Sequence, residues 1–231
     1  MDESLTGLLK RIELLASLTD EELRLISARF IMKQVKKNEI ILREEDTNNF
    51  MYMVLYGKLK VVQATREGKE IILAIHQSGQ FFGEISLIDG KTSPATVMAA
   101  EDSLIALVSK RDFHDLLASH SKVLYNLLQI MCSRLRDSWD KLKMLTFKDP
   151  AERIRLLFLM LSLQPKEKTQ EGTVLNVRLT HQDIADMTGL TRETVTRIMN
   201  RWQHGGKVTI LENRLIRLNP DFSQGSGSTL E

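Results

Sequence analysis

The side chains best placed to do chemistry lie in one run, Thr191-Arg192-Glu193-Thr194-Val195-Thr196-Arg197. Their chemistry is recognition by hydrogen bonding, not bond making. A guanidinium can donate two parallel hydrogen bonds to the edge of a guanine, and a glutamate can accept from the amino group of a cytosine. Val195, Ile198 and Met199 recur at helical spacing on one face. Upstream, Thr180 is a good N-cap, and Asp183 three residues on suits a capping box. Ile184, Ala185 and Met187 give this first helix its apolar face. Thr188-Gly189-Leu190 breaks it, because Gly189 can take the positive φ of a tight turn, and Thr191 caps the second helix. The pattern is that of a DNA-binding helix-turn-helix, with Arg192, Glu193, Thr194, Thr196 and Arg197 presented outward. The plainer alternative is a corner of two helices with a solvated outer face.

The residues that follow favour the first reading. Gly205-Gly206 ends the helix, and KVTILENRLIRL alternates with a turn near Glu212-Asn213. It reads as a hairpin with Val208, Ile210, Leu215 and Leu218 inward. A hairpin after such a pair makes a winged helix, whose turn lies against the DNA backbone.

Catalytic and metal signatures are missing. The chain has no P-loop, dinucleotide fingerprint, nucleophile elbow or zinc-protease helix, and Gly83 lacks the further glycines of a phosphate-cradling loop. An enzyme is not expected. His76, His114 and His120 lack metal-ligand spacing. Cys132 is the one cysteine, which excludes an internal disulfide and fits a reducing cytoplasm; it reads as a packed thiol before a redox switch. No apolar run reaches membrane-span length, and MDESLTGLLKRIELL does not read as a secretory signal. The net charge of +2 says little, but residues 150–221 hold 11 Lys/Arg against 8 Asp/Glu, a mild basic bias that suits nucleic acid.

These residues need a frame to hold them, and the 231 residues suffice for two modest cores. Residues 4–29 predict two short helices, the first with Leu8, Leu9, Ile12 and Leu15 on one face. Thr19 with Glu22 makes a capping box for the second, whose apolar residues are Leu23, Leu25 and Ile26. From Phe30 to Val108 short β-rich runs are separated by turn residues, which predicts an antiparallel roll with a short helix after Gly83. From Lys110 the period is helical, and Leu124, Leu128, Met131, Leu135, Ser138, Leu142 and Leu145 follow a 4-3-4-3-4-3 spacing. That is a two-stranded coiled-coil seam of about three heptads. Asp149-Pro150 stops it. A helix of about 30 residues is about 45 Å long, too long for one small domain to cover, so a homodimer is expected rather than a helix buried along one domain. Pro150–Leu163 reads as another helix, Pro165–Thr173 as a polar connector that RNA polymerase could touch, and SQGSGSTLE as a flexible tail. The expected class is α+β. The divisions are 1–109, an effector-sensing β-roll (jelly roll); 110–149, a long dimerisation helix; 150–221, a winged helix-turn-helix; and 222–231, the tail.

A roll, a dimer helix and a C-terminal winged helix together resemble the cyclic-AMP receptor protein/FNR family of bacterial transcription regulators, over roughly Leu5–Leu218. Thr191–Arg197 is similar to that family's recognition-helix core. The resemblance implies base reading by Arg192, Glu193 and Arg197 in a near-palindromic TGTGA-like site, phosphate contacts from Thr180 and Gln182, and DNA-facing Thr191 and Thr196. Phe82-Gly83-Glu84-Ile85-Ser86-Leu87 resembles the nucleotide cassette, in which Glu84 would accept from a ribose hydroxyl, and Gly57 and Gly79 match its turns. Where the family's cyclic-nucleotide binders place an Arg and then a Ser or Thr before Ala95, this chain has Ser93 and Pro94. Ser138 keeps a hydroxyl where the family contacts adenine, and Trp139 beside it could fill or cap the pocket. The implied regulator therefore takes an effector other than cyclic AMP, or none. One cysteine cannot hold an iron–sulfur cluster. His76 is a haem-ligand candidate, against the plainer reading of a surface or loop histidine. The competing functions are a haem or other small-molecule sensor on the same scaffold, and a nucleotide-binding interaction module that does not bind DNA.

Overall fold

Two antiparallel sheets form the N-terminal part of the computed structural model, preceded by a short helical segment. The structure describes residues 5–64, 70–162, 168–169, 172–175, 177–212 and 214–223. Helices α1 (Leu5–Lys10) and α2 (Asp20–Ser27) flank a 3-10 turn. Strands β1 (Phe30–Val35), β2 (Ile40–Leu42), β3 (Phe50–Tyr56), β4 (Lys58–Ala64), β5 (Glu70–Gln77) and β6 (Phe81–Phe82) follow. Then come α3 (Glu84–Asp89), β7 (Thr96–Ala99), β8 (Ser103–Ser109), α4 (Lys110–Ser119), α5 (Ser121–Thr146) and α6 (Pro150–Ser162). The chain ends in β9 (Lys168–Thr169), β10 (Gly172–Val174), α7 (His181–Thr188), α8 (Arg192–His204), β11 (Val208–Ile210) and β12 (Ile216–Leu218). It divides into two compact units, residues 1–136 and 137–231.

In the first unit the sheets have the orders β1-β8-β3-β6 and β2-β7-β4-β5. Strands β3 and β6 of the first sheet are buried on both faces, whereas edge strand β1 is largely exposed, and the alternation separates two cores. Met51, Met53 and Leu55 of β3, Ala106 and Val108 of β8 and Phe81 of β6 join Leu9, Ile12, Leu15 and Leu23 of the helical segment. Tyr52 and Val54, Ile105, and Phe82, one residue along on the same three strands, join Leu59 and Val97 of the other sheet. Tyr52 stacks on Phe82 with ring centroids 4.8 Å apart, and His76 stacks on the same phenylalanine at 5.6 Å. The Thr19–Glu22 capping box forms, but Leu25 is 75% exposed, because two residues on from Leu23 is about 200° round the helix, off the buried stripe.

The helical stretch from Lys110 is two helices, not one. His120 breaks it with φ −128°, ψ 87°, so Phe113 and Leu116 of α4 and Val123 and Leu127 of α5 can all turn into one core. The stripe predicted as a seam lies on another face of α5. Leu124, Leu128, Leu135, Leu142 and Leu145 are 41–64% exposed. Met131 differs: it is half-buried against the first unit's core.

In the second unit, Phe158, Trp202 and Phe222 meet ring to ring, Trp202 edge-on to Phe222 at 5.3 Å. Phe222, assigned to the tail from sequence, is therefore a core residue; residues 224–231 lie outside the described ones. The stretch read as a polar connector supplies two paired strands, β9 and β10, which extend the wing into a sheet of order β11-β12-β10-β9. Residues 163–167, 170 and 171 are outside the described part. The wing's inward residues are Val208, Ile216 and Leu218. Leu215 precedes β12 and has the wrong parity, since Ile216 and Leu218 alternate onto the core face. Ile210 has the right parity but stands beside the turn, 43% exposed.

Candidate nucleic-acid interface and effector pocket

Thr180 starts α7 with a complete capping box. Its hydroxyl accepts from the Asp183 N–H at 3.0 Å, and the Asp183 carboxylate accepts from the Thr180 N–H at 2.8 Å. Gly189 ends α7 at φ 65°, a left-handed conformation that costs glycine little. Thr188, fully buried, donates its hydroxyl to the Ile184 carbonyl at 2.6 Å. Thr191 then caps α8 by accepting from the Thr194 N–H. Val195, Ile198, Met199 and Trp202 hold one face of α8 inside.

Opposite that face, Arg192, Glu193 and Arg197 are exposed, and their charged ends make no ion pair among the described residues. With Thr191, Thr196 and Asn200 they line one open hollow. Arg192, Glu193, Thr196 and Arg197 of the outward set read from sequence are thus brought together and Asn200 is added, whereas Thr194 is half-buried with its hydroxyl 3.0 Å from that of Thr191. The signal for Asn200 was its position, one turn beyond Thr196 on the polar face. Thr196 is half-buried and its hydroxyl is occupied. It donates to the Arg192 carbonyl at 2.9 Å and lies 2.9 Å from His181 Nδ1. Because the threonine proton is already given, the geometry makes Nδ1–H the donor in that second bond. Burial and the nearby Arg192 charge hold the His181 imidazole below its ordinary pKa. Gln182, expected to touch phosphate, is exposed and donates to Asp186 at 2.7 Å.

The second candidate site lies in the roll. Gly83 opens α3 at φ 89°, and a Cβ there would press on Asn48 Nδ2, the Phe50 carbonyl and the Tyr52 ring, each at 3.0 Å. Glu84 follows, 2% exposed. Arg134 of α5 donates to Glu84 Oε1 at 2.8 Å and to the Phe81 carbonyl at 2.7 Å. Its guanidinium also sits 4.5 Å from the Phe81 ring centroid and 3.5 Å from Glu13. Burial pushes the Glu84 carboxyl above the usual carboxylate range against the pull of Arg134. Arg134 was not singled out from sequence; its partner is 50 residues away.

The remaining pocket candidates are dispersed in character. Ser86 is buried and accepts from Asn48 at 3.2 Å, whereas Ile85 is 50% exposed. Ser93 and Ala95 are buried, and Pro94 is exposed. Ser138 and Trp139 are exposed positions of α5, Trp139 at 60%. His76 spends one ring face on Phe82. The described residues contain no cluster of three or more His, Cys, Asp or Glu fit to hold a metal. No helix among them is long and apolar enough to cross a membrane.

Comparison with known proteins meets this geometry at both sites. Residues 32–120 match the model of the cyclic nucleotide-binding domain, and residues 152–221 match that of the Crp-like helix-turn-helix domain. The chain is 33% identical over 168 residues to the cAMP-activated global transcriptional regulator CRP of Haemophilus influenzae, covering 72% of this chain and 74% of that one. It is 27% identical over 212 residues to the cyclic AMP receptor protein of Thermus thermophilus, covering 92% and 91%. Among solved structures, CooA from Carboxydothermus hydrogenoformans superposes with a TM-score of 0.76 at 24% identity, covering 97% of this chain and 94% of that one.

Proposed function

This chain belongs to the cyclic-AMP receptor protein/FNR family of transcription regulators, which are DNA-binding proteins and not enzymes, and on that premise we propose that it works as a homodimer on a near-palindromic, TGTGA-like DNA site. One observation carries the reading. Helix α8 buries its apolar face and leaves Arg192, Glu193 and Arg197 exposed, without ion pairs among the described residues, at its N-terminal end. Exposed charges of both signs in that arrangement suit the donor and acceptor pattern of a major groove. Arg192 and Arg197 read guanines, Glu193 reads a cytosine, and Thr191 and Asn200 flank them. Gln182, at the start of α7, contacts the phosphate backbone with its second amide hydrogen, and Thr180, whose N–H and hydroxyl are both given to Asp183, positions it.

The exposed leucines of α5 support the dimer. Full burial of a leucine contributes about 1.5–3 kcal/mol. Ten half-exposed leucines across two chains therefore carry about as much as association costs, about 4–15 kcal/mol. The exposed Tyr125 and Trp139 on the same helix add to that. Two recognition helices would then enter successive major grooves about 34 Å apart. The protein acts in the cytoplasm, where the DNA and RNA polymerase are. Its roll responds to an effector that is not cyclic AMP by favouring one arrangement of the DNA-binding units.

The test is selection from random duplexes by ligand-free protein at fixed near-physiological salt, since salt sets affinity. Retention of palindromes with TGTGA-like half-sites is the expected result. Uniform retention of all sequences would remove the base-reading roles.

A further inference from the structure

The roll matches cyclic nucleotide-binding domains, so a 3′,5′-cyclic nucleotide is the ligand to set against its side chains. Such a ligand presents two kinds of group. Its ribose hydroxyl donates a hydrogen bond, and its cyclic phosphate is an anion that needs cations or strong donors once out of water.

The acceptor half is present. Glu84 is 2% exposed, and its Oε2 has no hydrogen-bond partner among the described residues. A buried oxygen in that state is costly, and a donor on a ligand relieves it. Among the described residues around Ser93 and Pro94, the phosphate half is absent. Residues 45–48 tie the two walls together: the Ser93 N–H donates to the Asp46 carbonyl at 2.9 Å, and Asn48 Nδ2 donates to the Gly83 carbonyl at 2.9 Å. In that frame Ser93 also spends its hydroxyl on the Ala95 carbonyl at 2.8 Å, so both its donors are consumed. Pro94 has no N–H to give. Arg134 is held by Glu84, the Phe81 carbonyl and ring, and Glu13. Arg43 and Lys91 are exposed, and Glu44, Glu45 and Asp46 put acids on the segment that pairs with Ser93.

We propose that this roll takes a phosphate-free ligand that donates a hydroxyl to Glu84, of the nucleoside or sugar class, in place of a cyclic nucleotide. The inference rests on the roll being an effector site.

Calorimetric titration of the full chain with adenosine and with 3′,5′-cyclic AMP tests it. Adenosine keeps the ribose hydroxyls and drops the phosphate. The expected result is binding of adenosine at least about tenfold tighter than cyclic AMP, the size of one charge-assisted hydrogen bond. The double variant Ser93→Arg, Pro94→Ser supplies a cation and donors, and reverses that order. Glu84→Gln weakens adenosine while circular dichroism stays unchanged. Cyclic AMP binding as tightly as adenosine, no heat with adenosine, or a folded double variant that still prefers adenosine would each overturn the proposal. The titration contains no DNA, so its failure leaves the base-reading roles standing, and failure of duplex selection leaves the titration standing.

Discussion

At the scale of single residues, the side chains proposed to read DNA are separate from those that hold α8 in place. Arg192, Glu193 and Arg197 are free of ion pairs among the described residues, whereas Thr180, Thr191 and Thr196 spend their hydroxyls inside the protein. Arg192→Ala should cost about 1–3 kcal/mol for the selected site and relax preference at one base pair. Titration of the variant against the site and its single-base mutants measures both. His181 behaves differently. Its folded pKa lies below the ordinary value of 6.5, so the unfolded chain binds more protons near and below that pH. The stability it contributes is present above pH about 6.5 and is lost as pH falls through the folded value. Melting temperature should drop on acidification across that window, and His181→Gln should flatten the drop. An unchanged slope in the variant would assign it to other groups.

At the scale of elements, two helices show why a stripe needs its surroundings before it can be interpreted. Helix α7 is eight residues long, short for a helix to stand alone, and its capping box satisfies donors that would otherwise be orphaned. Thr180→Ala should lower stability by about 1 kcal/mol, read by denaturant unfolding. Helix α5 has two apolar faces. Val123 and Leu127 serve the chain's own core, and Leu128 and Leu135, 55% and 52% exposed, lie on the face proposed as the seam. Leu128→Glu with Leu135→Glu should convert dimer to monomer in sedimentation equilibrium, with helical content retained. A dimer that survives both changes would place the interface elsewhere.

At the scale of the whole molecule, the roll and the winged helix belong to one regulator, and DNA affinity is the quantity that joins them. Because phosphate contacts release counterions, affinity for the selected site should fall steeply between about 50 and 200 mM salt. The double glutamate variant should weaken site binding further, because each monomer retains a single half-site. Gel shift over a salt series reads both effects.

Short-range physics settled much of this in advance. Thr19 with Glu22 and Thr180 with Asp183 cap their helices as their spacing requires, since a capping box is complete within four residues. The recognition helix was legible for the same reason: polar and apolar positions on α8 sort by the 3.6-residue period alone. Contacts between distant segments were not legible. Nothing local says that Arg134 closes over Glu84, that Phe222 seals an aromatic cluster, that His120 bends the path into α5, or that residues 168–174 join the wing. The same limit explains Leu215 and Ile210, where alternation gives a parity but not which end of a strand the core reaches. The sequence determined that α8 presents Arg192, Glu193 and Arg197 on its polar face and that Ser93 and Pro94 precede Ala95. Only the tertiary structure decided that a buried carboxylate oxygen of Glu84 was left without a partner among the described residues, because burial and hydrogen-bond satisfaction belong to the packed chain.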